Sequence, residues 1–325
     1  MNTKKKDNFL MRIIKGKYNN PWLVKLFIVC LIAIPLVVFA IFVGYGNFGG
    51  IIEAFKVKEG ASFHWGLENF RFLDPTREEW LFKTDATGVI TGPGKYIINS
   101  FGYLFVYMFI SVPISIGCSF FLYKKVPFSK LIVVLLFLPN IVPLSVLGLY
   151  YRELVANTGG GVLFEVFKLM GMEIDLTSKA GNLFLYIYTV YFGFGYNAIL
   201  IWGAMTRIPE EVVESANLDG ANLLVEFFNI TVPMSWSTMS MVIVLSWMVP
   251  FTVYTQPQMI IGGFNDNSAT WALYIMEKIN PSQGGVGESN TYIGSALSVF
   301  SACFSLPTTL LLQKALEKVY PTVEV

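Results

Sequence analysis

Six apolar tracts divide the chain, over residues 22–43, 96–123, 131–151, 183–205, 234–261 and 292–312. The last five contain no Asp, Glu, Lys or Arg. A helix needs about 20 apolar residues to cross a bilayer core. A lone strand in lipid would leave its backbone groups unpaired. The pattern therefore predicts an all-α polytopic membrane protein with six transmembrane helices. Pro35, Pro113, Pro139, Pro143, Pro250, Pro257 and Pro307 fall inside the tracts. Each removes a backbone donor and invites a kink that neighbouring helices can tolerate.

The polar segments give the organisation. A basic arm over 1–20 carries Lys4, Lys5, Lys6, Arg12, Lys15 and Lys17. The helix that follows, 21–45, exceeds the roughly 7–15 apolar residues of a signal-peptide core and shows no small-residue cleavage site. It reads as a helix that stays in the membrane. Next come a loop over 46–94, a five-helix core over 95–316 and a tail over 317–325. Six crossings put both termini on one side. The arm, Lys124, Lys125, Lys130, Lys314 and Lys318 then share that side, and short basic flanks mark the cytoplasm. The loops 46–94, 152–180 and 262–290 face outward. The first is a cap, a contact surface or a variable loop. The second contains Gly159, Gly160 and Gly161 and then a short amphipathic helix over 162–170.

Composition sharpens the class. Only 14% of residues are charged, and 23 basic against 22 acidic side chains leave a net charge of +1. Ordinary soluble proteins carry about 25% charge. No basic run with interleaved aromatics points to nucleic acid. Cys30, Cys118 and Cys303 each lie in an apolar tract, and His64 is the sole histidine. These suggest packing rather than a disulfide framework or a metal site. The chain lacks a Gly-x-x-x-x-Gly-Lys-Ser/Thr phosphate loop, a Gly-x-Ser-x-Gly elbow and a His-Glu-x-x-His pair. It reads as a non-enzyme with no cofactor or metal of its own. Charge-free tracts also argue against a proton relay or voltage sensor. A transporter built from this chain must draw its energy from elsewhere.

Neutral polar and aromatic groups do occur in the tracts. Tyr196 and Asn197 in the fourth, and Ser246, Thr252 and Tyr254 in the fifth, are candidates for a solute path. Hydroxyls and amides beside rings suit a neutral polyol. The same residues could instead bond to neighbouring helices or form an interfacial belt.

The segment 206–233 is the anomaly. It is acidic on the side where base is expected, with Glu210, Glu211, Glu214, Asp219 and Glu226 against Arg207 alone. Pro209 suits a first helical position. Glu210 and Glu211 favour the positive end of the helix dipole. Asp219-Gly220 ends the helix with a left-handed cap. A second short helix is expected over 221–228, and Thr231-Val232-Pro233 leads into the fifth span.

Here the chain resembles a known family. Glu214-Ser215-Ala216-Asn217-Leu218-Asp219-Gly220-Ala221, then Phe227 and Phe228, then Ile230-Thr231-Val232-Pro233 is similar to the signature of binding-protein-dependent ABC importer permeases. That signature reads Glu-Ala-Ala-x-x-Asp-Gly-Ala, Phe, Ile-Thr-Leu-Pro in the sugar-type, maltose-type branch. Ser215 and Val232 depart from it. Ile208-Pro209-Glu210-Glu211 upstream, Trp65-Gly66-Leu67-Glu68-Asn69-Phe70 and Asn99-Ser100 also resemble that branch. The resemblance covers most of 65–316.

It implies a permease core of the last five helices with one extra N-terminal helix, in the plasma (inner) membrane of a prokaryote. It implies that Glu210, Glu211, Glu214, Ser215, Ala216, Asp219, Gly220 and Ala221 form a coupling helix seated on a cytoplasmic ATPase. The implied partners are a second homologous permease, two ABC ATPases that bind ATP and Mg, an extracytoplasmic solute-binding protein and the lipid bilayer. The implied cargo is a sugar or oligosaccharide. An ABC permease for another solute, and a membrane scaffold or channel, are the competing readings.

Overall fold

The computed structural model describes residues 21–59, 62–155, 161–171, 181–280 and 290–320. The basic arm, Gly159, Gly160 and the tail beyond 320 lie outside the described residues.

Helix α1 is built from Pro21–Val38, a π-helical stretch Phe39–Tyr45 and Gly46–Ala54. It runs nine residues past the expected end at 45. The stretch Gly46–Ala54 reads as a loop because glycine is a poor helix former. Packing decides otherwise: Ala54 is fully buried, in a cluster with Phe72, Tyr96, Trp271 and Leu297. Beyond it comes a two-stranded antiparallel hairpin, β1 (Lys56–Glu59) with β2 (Ser62–Trp65). The charge pattern gave no notice of this hairpin in an otherwise helical chain. The Asn69 side chain donates to the carbonyls of Ala54 and Lys56 at 3.0 and 2.8 Å, closing the hairpin onto α1. Phe72 and Leu81 are buried in the same cluster. This part of the chain is therefore a cap folded into the bundle, not a free loop.

Helix α2 runs over Gly94–Val106, a π-helical Tyr107–Ser111 and Val112–Tyr123. The widened turn has a cause. Proline at 113 cannot donate and crowds the carbonyl four residues back. The Val112 N–H instead reaches the carbonyl of Tyr107, five residues back.

The third tract is not one kinked helix. Helix α3 (Ser129–Ile141) and helix α4 (Leu144–Val155) meet at a bend of 100°. Val142 stands between them with φ −84° and ψ 136°. The residue before a proline is pushed out of the helical region into extended backbone, and Pro143 follows it. Helix α5 (Val162–Leu169) is the expected short surface helix. Helix α6 (Asn182–Met205) is uninterrupted.

Helices α2 and α6 run in the same direction. The Ser115 hydroxyl donates to the carbonyl of Phe194 at 2.9 Å, and that of Ser119 to Ala198 at 2.7 Å. Donors and acceptors both advance by four residues. Small residues let the two backbones approach, and the hydroxyls bond across the gap. Tyr123 and Met205 therefore lie at one end of the bundle, with α3 and α4 carrying the chain back between them.

Helix α7 (Glu210–Leu218) follows α6. Helix α8 then runs over Leu223–Glu226, a π-helical Phe227–Thr231 and Val232–Trp247. The expected short helix over 221–228 is thus the first part of the fifth span. The span begins eleven residues before the predicted 234 and ends at Trp247 rather than 261. The π-helical turn ahead of Pro233 repeats the device of α2: the Val232 N–H bonds to the carbonyl of Phe227. Past Met248 the chain breaks into α9 (Val249–Thr252) and α10 (Thr255–Ile261). Pro250 and Pro257 sit near the starts of these helices, where a missing N–H is harmless.

Helix α11 (Trp271–Ile279) lies at the end of the bundle opposite Tyr123 and Met205, and α12 (Thr291–Val319) is the last long apolar helix. Trp236 donates to the Leu316 carbonyl and Trp247 to the Thr308 hydroxyl, so α12 runs antiparallel to α8. At that same end as α11, Asp266 accepts from Lys95 and from the Tyr96 hydroxyl. Burial pushes its carboxyl up, but these two bonds outweigh burial and hold it below its ordinary value.

Candidate coupling site

The parallel α2 and α6 bring Lys124, Lys125, Lys130, Glu210 and Glu214 to one end of the bundle. All five line a single open groove of about 770 Å³, together with Tyr123, Ser129, Trp202, Thr206 and Val213. Lys314 and Lys318 lie at the end of α12 on the same side. The basic turn and the acidic segment thus share an end, as the count of crossings predicted.

Pro209 is the cap residue preceding α7, with φ −59° and ψ 134°, one position earlier than expected. Glu210 and Glu211 occupy the first turn, where acids complement the dipole. Glu210, Glu211, Glu214, Ser215, Asp219 and Gly220 are exposed, and Ala216 and Ala221 are half-buried. The helix ends as the Asp-Gly pair predicts. Gly220 has φ +81°. Its N–H bonds to the Asn217 carbonyl at 3.1 Å, and the Ala221 N–H to the Ala216 carbonyl at 2.9 Å. This is the Schellman arrangement, which satisfies the last carbonyls of a helix. Asn222 then caps α8, its side chain accepting from the Val225 N–H at 2.9 Å. Sequence reasoning passed over that cap, although an Asn ahead of an apolar run is its usual signal.

Apolar side chains stand out around this turn. Leu218 is 89% exposed, and Leu223 and Leu224 are exposed with it. Acids along a short helix and leucines about a fixed turn thus form one exposed surface.

One acid of the segment behaves differently. Glu226 is 2% exposed and accepts from Lys124 Nζ at 2.6 Å. Its isolation as the one charged residue in the run 222–248 was the signal available in the sequence.

The path candidates are not gathered into one site. Asn197 is 4% exposed on α6. Ser246 is buried, and its hydroxyl donates to the Val242 carbonyl. Tyr196 is 48% exposed. Thr252 is exposed at the end of α9, where its hydroxyl donates to the Met248 carbonyl. Tyr254 precedes α10 and is partly exposed. The break after Trp247 separates the last two from Ser246. Among the described residues no cluster of His, Cys, Asp and Glu is able to hold a metal ion.

No protein-family model matches the chain. It is 29% identical over 132 residues to the probable ABC transporter permease protein YurN of Bacillus subtilis, covering 39% of this chain and 45% of that protein. It is 25% identical over 203 residues to the arabinooligosaccharides transport system permease protein AraP of Halalkalibacterium halodurans, covering 61% and 55%. The chain therefore spans about half the length of these curated relatives. Its fold matches a crystal structure of a bacterial alginate ABC transporter in complex with an alginate pentasaccharide-bound periplasmic protein. The TM-score is 0.71 at 16% identity, over 96% of this chain and 99% of that one. The chain is thus similar in sequence to permease proteins of ABC transporters, an arabinooligosaccharide permease among them, and shares its fold with a chain of the alginate ABC transporter.

Proposed function

We propose that this chain is one permease subunit of an ATP-driven importer and forms half of the path for a sugar or oligosaccharide. The observation that carries the reading is the exposed α7–α8 segment. It sets acids and leucines around a Schellman turn at one end of a bundle whose last five apolar tracts hold no charge. The energy enters there. Two ATPase subunits, carrying ATP and Mg, seat α7, and Glu214 meets a basic residue of the ATPase. That end, with both termini, is cytoplasmic.

A second, homologous permease completes the path. A binding protein delivers the solute at the outer cap formed by the hairpin, α11 and their neighbours. The charge-free tracts favour a neutral cargo, and the arabinooligosaccharide permease among the relatives supports an oligosaccharide. Tyr196, Asn197, Ser246, Thr252 and Tyr254 are the groups proposed to meet it.

The test is Glu214→Arg in the transporter purified with its ATPases and reconstituted in vesicles. Membrane insertion should be unchanged, and ATP hydrolysis should continue without uptake. Uptake at the wild-type level would overturn the role given to α7.

A further inference from the structure

Lys124 is the residue after the last turn of α2, and Glu226 lies in the first turn of α8. Their ion pair joins two elements that the sequence keeps 102 residues apart. The pair is set among rings. Lys124 Nζ lies 6.0 and 5.9 Å from the ring centroids of Phe120 and Tyr123, and Phe120 meets Phe227 edge-on at 4.8 Å. Lys124 is the sole partner of the Glu226 carboxylate among the described residues, since Oε1 has none. A carboxylate this far from water is tolerated only while paired, and removing one partner leaves an uncompensated buried charge. The other acids of the segment are exposed and free to meet a partner. Glu226 is not.

We propose that Lys124 and Glu226 are positioning residues that lock the coupling segment to α2. The inference rests on the coupling reading above. A displacement of α7 and its turn carries the start of α8, and the ion pair passes it to the end of α2. The Ser115 and Ser119 bonds then pass it to α6 at Phe194 and Ala198, on either side of Tyr196 and Asn197. Neither residue need touch ATPase or solute. The pair acts as a rigid link that no apolar contact of similar size would supply, because slipping it would strand the buried Glu226 carboxylate.

The experiment compares wild type, Glu226→Gln, Lys124→Met, Lys124→Arg and the exchange Lys124→Glu with Glu226→Lys. Each transporter is purified with its ATPases from native membranes and reconstituted in vesicles, with its solute-binding protein and a radiolabelled arabinooligosaccharide as the solute. Three quantities are read: ATPase retained, ATP hydrolysed and solute taken up per ATP. Glu226→Gln and Lys124→Met should retain the ATPase and hydrolyse ATP while uptake per ATP falls about tenfold, within the range that residues remote from both ligands exert on coupling. Lys124→Arg and the charge exchange should recover to within about threefold of wild type, because the link is restored. Single variants with the wild-type ratio would overturn the proposal. So would a charge exchange no better than the singles in protein of normal yield. A wild-type chain that retains no ATPase would instead sink the coupling reading itself, and this proposal with it.

Discussion

Gly220 allows the coupling turn to be tested with a perturbation whose cost can be worked out beforehand. Its φ is +81°, and a Cβ built there meets nothing within 4 Å. Replacing it therefore creates no clash, and the whole penalty lies in the backbone. An L-residue in the left-handed region costs about 1–2 kcal/mol. A factor of ten corresponds to about 1.4 kcal/mol. If the ATPase binds the preformed turn, Gly220→Ala should weaken ATPase association by about 5- to 30-fold. Valine should cost more, since a branched Cβ is a worse occupant of positive φ. Asparagine should cost less, because its short polar side chain tolerates that region. The expected affinity order is Gly, Asn, Ala, Val. Gly203 is the control: nothing lies within 4 Å of its Cβ position either, but its φ is not positive. Gly203→Ala should leave affinity unchanged and stabilise α6 slightly. The assay is titration of the ATPase onto the permease pair in lipid nanodiscs. A flat series across the Gly220 variants would refute the claim that this turn is what the partner reads.

Two further outcomes are expected. At Gly195 a Cβ would lie 2.5 Å from the Leu136 carbonyl oxygen, a backbone atom that cannot swing aside. Gly195→Ala should therefore separate α6 from α3 and cost about 1–3 kcal/mol, measured as a lower melting temperature in detergent; an unchanged melt would contradict this packing. Alanine at Tyr196, Asn197, Ser246, Thr252 and Tyr254, one at a time, should reduce uptake while ATP hydrolysis persists. Uptake untouched at all five would remove them from the path.

How much could be read from the chain alone differs from element to element. The apolar tracts were legible because a helix in lipid must be long, apolar and almost free of charge, and that constraint is written residue by residue. Helix α7 and its stop were legible for a different local reason: Asp219-Gly220 places a residue that tolerates positive φ where the helix must end. The bend between α3 and α4 was only half legible. Pro139 and Pro143 announce a kink, but the 100° angle depends on what α4 packs against. The start of α8 was misplaced because Thr231-Val232-Pro233 looks like a boundary. The widened turn at Phe227–Thr231 lets the helix pass through it. The hairpin β1–β2 and the helical Gly46–Ala54 run against local propensity and are held by Asn69 and the cluster around Ala54.

The segment 206–233 shows the division most clearly. By itself the sequence determined that 206–233 is polar, acidic and broken by a glycine, because charge, periodicity and backbone freedom are properties of neighbouring residues. It could not rank the five acids. Glu210, Glu211, Glu214 and Asp219 face water while Glu226 is buried against Lys124. That distinction exists only once α2 and α8 are packed side by side, since burial and pairing depend on residues far apart in the chain.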